Sequence, residues 1–267
     1  MTPKSYETEA DARILIDGML RAAGWDPSDK SQVLTEHAQE GSRADYLLLA
    51  QSGQPLAVIE AKRQGIDPYT AKQQVLPYAK ERGAPFIFLT NGELVYFWDY
   101  EDDDARQVNS FYSRRDLERV VEMRSQRRPL ATIPIPEDYL RHGEARTVRP
   151  YQQEAMRALD HAVQLGKRRF LIELPTGTGK TDLTSLYLKR LIEAKRATRI
   201  LFLVDREQLA KQALEALQDL LPAHPSYWLK PGVVREEKQI TVCLLQTMVS
   251  RYHEFSSGYL DVVVEDE

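Results

Sequence analysis

Apolar positions along the first hundred residues switch between helical and strand spacing. Over residues 6–23, Ala12, Leu15, Ile16, Met19 and Leu20 recur at helical intervals and Gly24 supplies a stop, predicting a helix whose polar face carries Glu7, Glu9 and Asp11. Residues 46–50 and 55–61 read as two short apolar strands joined by Gln51-Ser52-Gly53-Gln54, a connector of hairpin length. A second hairpin is expected over 85–99, where PFIFLT and ELVYFWDY flank the turn dipeptide Asn91-Gly92. Between the hairpins a helix is predicted over 67–82, with Asp67 as cap, Pro68 at its first position and Gly83 beyond its end. Another follows over 113–126, where Ser113 and Asp116 stand at capping-box spacing.

The pattern then lapses. Residues 128–149 contain Pro129, Pro134 and Pro136 with scattered charge and no apolar period, which marks them as an interdomain linker between a domain over 1–127 and another over 150–267. Beyond it, helices over 150–165, 180–194 and 206–221 alternate with apolar strands over 170–174, 199–205, 240–245 and 260–264. Near-continuous apolar strands separated by amphipathic helices predict an α/β fold with a parallel sheet covered on both faces.

Composition adds limits. A hydrophobic fraction of 42% with 28% charged residues excludes disorder, and the single cysteine, Cys243, excludes an internal disulfide. The polar amino terminus and the lack of a long apolar run point to a cytoplasmic chain with no membrane partner. With 36 basic and 40 acidic residues the net charge is −4, so nucleic acid would be held by local basic clusters. The series Arg114, Arg115, Arg119, Arg124, Arg127 and Arg128 is one such cluster, although a solvated helix face running into a linker accounts for it better. The five histidines show no metal-ligand spacing.

Two constellations carry chemistry. Pro175-Thr176-Gly177-Thr178-Gly179-Lys180-Thr181 follows a predicted strand and opens a predicted helix, the setting in which backbone N–H groups wrap a triphosphate. Lys180 is placed to neutralise the outer phosphates and the Thr181 hydroxyl to bind Mg²⁺, while Leu174 stands where the strict phosphate-loop pattern has glycine. The final VVVEDE would bring Asp266 as a Mg²⁺-holding carboxylate and Glu267 as a water-activating one to the carboxyl end of a strand. Gln152, near the start of its helix, has the amide suited to reading adenine.

The second constellation lies in the first hairpin. A two-residue turn at Ser52-Gly53 pairs each position i with 105 minus i and sets Asp45 opposite Glu60, with Cβ atoms about 5 Å apart. Facing carboxylates repel unless a divalent cation lies between them, and Lys62 projects on the same face as Glu60. A lysine there can orient a metal-held water and stabilise charge developing on a phosphate. On the next helix Gln74 and Tyr78, spaced i, i+4, share a face on either side of Pro77; a packed tyrosine beside an exposed glutamine is the plainer reading of that pair.

The second half resembles the first RecA-like domain of superfamily 2 helicases and translocases, with VRPYQQEA as the Q motif, PTGTGKT as motif I, LFLVDREQLAKQA as motif Ia, LLQTM as the next DNA-facing motif and VEDE opening the DExx box. The first half, through ETEADARILIDGMLRAAGW, ADYLLLAQSGQPLAVIEAKRQGIDPYTAKQQVLPYA and LTNGELVYFWD, resembles the amino-terminal nuclease domain of the restriction (R) subunit of type I restriction–modification enzymes. That resemblance implies a PD-(D/E)xK nuclease-like mixed α/β domain followed by a RecA-like parallel-sheet P-loop domain truncated at the DExx box. It implies Mg²⁺ and ATP as cofactors, cleavage of double-stranded DNA, and methyltransferase and specificity subunits as partners. Asp45, Glu60 and Lys62 would form the Mg²⁺-dependent cleavage site, supported by Gln74, Tyr78 and an acid of the first helix, Glu9 or, at nearly equal spacing, Glu7 or Asp11. Because the resembled family continues into a second motor domain, this chain by itself is expected to show no appreciable ATP hydrolysis or translocation, as a piece of a larger subunit or the product of a truncated gene. A different defence nuclease–helicase fusion, and a non-catalytic remnant that only binds DNA or partner subunits, stand as alternatives.

Overall fold

In the computed structural model, which describes residues 9–35, 44–175 and 177–266 and side chains from Ala12 onward, the chain divides into two compact units. One holds the residues up to Val121 together with Ser256–Tyr259, the other Glu122–Phe255 and the residues from Leu260. No helix among the described residues is long and apolar enough to cross a membrane.

In the first unit the order is α1 (Glu9–Ala22), β1 (Val33–Thr35), β2 (Tyr46–Leu49), β3 (Pro55–Ala61), α2 (Lys72–Arg82), β4 (Phe86–Thr90), β5 (Val95–Asp99), β6 (Arg106–Val108) and α3 (Arg114–Ser125). The six strands form one sheet in sequence order, antiparallel throughout except where β3 and β4 run parallel with α2 as the crossover. Alternate residues of β2 go to opposite cores. Tyr46 and Leu48 join Ile16 and Leu20 of α1 and Leu117 of α3, whereas Leu47 and Leu49 join Val75, Tyr78 and Ala79 of α2. Burial on both faces explains why these strands read as unbroken apolar runs. The first core centres on an aromatic cluster in which Phe97 stacks on Tyr112 at 4.4 Å and Phe88 meets Phe97, Phe111 and Tyr112.

Local signals shape the helix ends. Ser113 and Asp116 exchange hydrogen bonds of 2.6 and 3.1 Å, as their spacing predicts. Asp67 caps by accepting from Tyr69 N, but the segment it opens, Pro68–Ala71, is a 3₁₀ turn, and α2 begins only at Lys72. The strands β1 and β6 have no counterpart among the sequence expectations, since three residues are too short to show a period and exist only through pairing with β2 and β5.

The second unit contains β7 (Asp138–Arg141), β8 (Glu144–Thr147), α4 (Pro150–Gln164), α5 (Lys180–Glu193), β9 (Ile200–Val204), α6 (Glu207–Leu220), β10 (Ser226–Leu229), β11 (Ile240–Leu244), α7 (Leu245–Arg251) and β12 (Val262–Asp266). A parallel sheet in the order β10-β11-β9-β12 is covered on one face by α4, α5 and α6 through Met156, Leu183 and Leu217, and on the other by Met248 of α7.

Two expectations fail here. Residues 128–149 are no linker: Leu130–Thr132 forms a 3₁₀ turn and β7 and β8 a hairpin, while Leu130, Ile133 and Val148 are buried in this unit's core. The hairpin turns at His142-Gly143, both with positive φ, the geometry of the two-residue turns that match strand twist. Arg190, 2% exposed, holds the preceding segment by donating to the carbonyls of Leu130 and Ile133 while pairing with Asp160. Polar composition concealed a packed segment because its anchors are isolated apolar residues and one buried arginine.

The expected strand over 170–174 is likewise absent; Phe170 and Ile172 are exposed, and Leu171 is 93% exposed. An apolar run becomes a strand only by hydrogen bonding to a partner, and this run pairs with none of the described strands.

Candidate functional sites

Asp45 and Glu60 meet where β2 and β3 end. The pairs Tyr46↔Ile59, Leu47↔Val58 and Leu48↔Ala57 hold the predicted register; beyond them Asp45 N donates to Ile59 O at 2.9 Å, and the Asp45 carboxylate reaches Ala61 N, between Glu60 and Lys62. The route to it differs from the expected two-residue turn. Ala50 and Gln54 close a three-residue turn through Ala50 N to Gln54 O at 2.8 Å, and a bulge at Leu48/Leu49 restores the register below it. The bulge decides that both carboxylates reach the same end of the sheet.

Each acid there has a cation. Lys62 Nζ donates to Glu60 Oε1 at 2.7 Å, and Glu60 is only 6% exposed. The Lys62 backbone N–H is tied to Thr90 O of β4, which fixes the base of the lysine against the sheet. Asp45 Oδ2 accepts from Ala61 N at 2.8 Å, and its Oδ1 accepts from Arg13 of α1. One turn further along α1, Asp17 accepts from the Tyr46 hydroxyl; burial, reinforced by that carboxylate, raises the pKa of this phenol. Arg13 and Asp17 were not singled out from sequence. Their i, i+4 spacing on the polar side of α1 was the available signal.

The supporting residues separate. Val58 packs in the α2-side core, so the strand period carries Glu60 and Lys62 on that face of β3. Tyr78 is buried in the same core and Gln74 is exposed, so the two differ in burial although i, i+4 spacing puts them on neighbouring turns of one face. Glu7 and the side chains of Glu9 and Asp11 lie outside the described residues. Hard carboxylate oxygens from Asp45 and Glu60, beside a lysine, are a donor set that fits Mg²⁺.

The second site surrounds the start of α5. Gly179 has φ +81°, and a Cβ there would stand 2.9 Å from Gln152 Nε2, so both the backbone angle and the space call for glycine. Thr178 turns its hydroxyl back onto Pro175 O at 2.6 Å. Asp266 lies opposite Val204 at the carboxyl ends of β12 and β9, and Thr181 Oγ1 stands 3.4 Å from Asp266 Oδ2. β12 runs two residues later than the strand expected over 260–264, so Asp266 belongs to the strand itself. The hydroxyl and carboxylate expected to share a Mg²⁺ are therefore adjacent, although 85 residues separate them in sequence. Lys180 opens the helix. Thr176 and Glu267 lie outside the described residues.

Gln152 is tied into the loop's support. Buried at 2% exposure, it accepts from Arg149 N at 3.0 Å and donates to Thr178 O at 3.2 Å, so both ends of its amide are engaged within the chain. Together with Tyr151, whose hydroxyl donates to Thr178 O at 2.8 Å, it holds the loop to the start of α4. Asp182, in the first turn of α5, accepts from Tyr139 and pairs with Arg141, which also reaches Asp219 of α6 at 2.7 Å. Thus the β7–β8 hairpin braces the helix behind the loop. Burial and the Asp182 carboxylate raise the Tyr139 pKa.

Comparisons with known proteins agree with both halves. Residues 30–106 match the family model of the type I restriction enzyme R protein N terminus (HSDR_N), and residues 146–267 match that of the type III restriction enzyme res subunit (ResIII). The type I restriction enzyme EcoAI endonuclease subunit of Escherichia coli is 34% identical over 175 residues, covering 63% of this chain and 22% of that protein. The EcoKI endonuclease subunit of Escherichia coli (strain K12) is 27% identical over 285 residues, covering 79% and 24%. A solved fragment assigned as an HsdR subunit of a type I restriction enzyme from Vibrio vulnificus YJ016 covers 97% of this chain and 51% of its own, at 27% identity and TM-score 0.38. The matched region spans about a quarter of the length of the two curated relatives. The chain is thus similar, in that order, to the amino-terminal region of type I restriction enzyme R subunits and to the beginning of a helicase-like region.

Proposed function

We propose that this chain carries the DNA-cleaving site and the nucleotide-binding loop of a type I restriction enzyme R subunit. The observation that supports the cleavage reading most is the convergence of Asp45, Glu60 and Lys62 at one end of the β2–β3 pair, with Lys62 held on Glu60 at 2.7 Å. Asp45 and Glu60 would hold Mg²⁺, which when bound supplies Lewis-acid polarisation of a phosphodiester. Ala61 N orients Asp45, and Lys62 stands where it can steady a water and offset charge developing on the phosphate. Glu9 is the α1 acid proposed to join them, and Gln74 the exposed side chain placed to meet DNA.

ATP would lie on Thr176, Gly177, Thr178, Gly179 and Lys180, with Thr181 and Asp266 holding its Mg²⁺ and Glu267 activating water. In the complete subunit this loop would drive translocation along double-stranded DNA in a cytoplasmic complex with methyltransferase and specificity subunits. Those partners and the motor activity are carried over from the similarity to type I restriction enzyme R subunits.

The test is nicking of supercoiled plasmid in Mg²⁺ by the purified chain and by Lys62→Ala. The variant is expected to lose at least about 10²-fold in rate, the scale for removing a group that stabilises transition-state charge. Equal rates would exclude cleavage at this site.

A further inference from the structure

We infer that Arg13 is a displaceable counter-ion for Asp45: it neutralises the carboxylate while no metal is bound and gives way when a divalent cation takes its place. The inference rests on the Asp45–Glu60 pair being a metal site. Among the described residues, Asp45 pairs with Arg13 and Glu60 with Lys62. Neither acid therefore needs a cation in order to fold. The repulsion expected between facing carboxylates is already relieved, by side chains of the protein's own.

The two pairs differ in how firmly they are held. Glu60 and Lys62 sit two residues apart on one strand with side chains 8% and 21% exposed, whereas Arg13 reaches Asp45 from a separate helix with its own side chain 39% exposed. A half-exposed ion pair of this kind is worth little and is easily exchanged. Asp45's other contact, Ala61 N, is a backbone donor fixed in β3 that leaves lone pairs on the carboxylate for a metal. The guanidinium is the one Asp45 partner whose positive charge directly opposes an arriving cation. A place for it to turn to exists on its own helix, since Asp17 lies one turn further along α1. Arg13 is thus a positioning residue that acts through Asp45.

The experiment is calorimetric titration of the 267-residue chain with Mn²⁺, without nucleotide or DNA, alongside the rise in melting temperature that Mn²⁺ produces. Arg13→Met keeps the apolar stem and removes the charge; it is expected to bind Mn²⁺ up to about fivefold more tightly, the weight of a partly exposed ion pair. Arg13→Lys keeps the charge and is expected to stay within about twofold of the parent, and circular dichroism melts confirm that each variant is folded. Asp45→Asn should abolish the binding and so assigns the heat to this site. Unchanged or weaker binding in Arg13→Met, with the parent binding normally, would overturn the counter-ion role alone. No Asp45-dependent binding in either would overturn the metal site and this inference together.

Discussion

The carboxylate site of the first unit and the phosphate loop of the second are assembled in different ways. Asp45, Glu60 and Lys62 fall within 18 residues and are set by one hairpin register, with each charge matched inside the chain. The loop at Gly177–Lys180 instead draws on distant positions: Gln152 and Tyr151 grip Thr178 from α4, Asp266 arrives on β12, and Tyr139 and Arg141 brace Asp182 from a separate hairpin. A hairpin closes a short loop at small entropic cost, while a parallel sheet must gather strands separated by whole helices. In a site of the first kind the hairpin sets the three reactive side chains, and α1 and β4 add Arg13 and the anchor of Lys62. One of the second kind is only as well defined as its remotest partner.

The largest test of that contrast is Phe88→Ala. This ring is fully buried among Phe97, Phe111 and Tyr112, and its loss should cost about 3–5 kcal/mol. In single-tryptophan variants, the unfolding reported by Trp25 or Trp98 should move to lower denaturant, while that reported by Trp228 in the second unit stays in place. A matching shift at Trp228 would show that the units do not cohere separately.

Gly179→Ala should have a smaller and more local effect. At φ +81°, with a Cβ meeting Gln152 Nε2, the loop would carry strain of about 1–3 kcal/mol. Affinity for a fluorescent ATP analogue should fall about tenfold, with the unfolding midpoint of the first unit unchanged. Unaltered affinity would mean that the grip of Gln152 on the loop is dispensable.

The smallest effect concerns Cys243, buried in β11, whose thiol is pushed up to about 11 by burial. Because this lies above the ordinary 9.0, the group favours the folded state fully below about pH 9, and that contribution is lost as pH rises through about 11. Alkylation at pH 8 should accordingly be slow in the native protein and complete after denaturation. Fast native labelling would show that the second unit's parallel sheet opens readily at β11.

Much was legible in the residues alone. The hairpin at 46–61, the Ser113–Asp116 cap, and the acids and lysine at the end of β3 follow from alternation, turn chemistry and capping, all of which act within a few residues. The strand over 170–174 was misread because its apolar run is equally compatible with a buried strand and with an exposed segment, and only a partner distinguishes them. The linker was misread because a hairpin with exposed faces has little apolar pattern; its anchors are Arg190, bonded to carbonyls some 60 residues away, and Arg141 between two helices.

By itself, then, the sequence carried the longer helices and most of the longer strands and the α/β class of both halves, and it singled out the loop at 175–181 and the Asp45, Glu60 and Lys62 set as candidates, because short-range periodicity and spacing encode them. Only the tertiary structure decided that Arg13 neutralises Asp45, that Gln152 and Tyr151 hold Thr178, and which apolar runs become strands. Each of those outcomes depends on a contact between residues far apart in the chain, and periodicity carries no record of such partners.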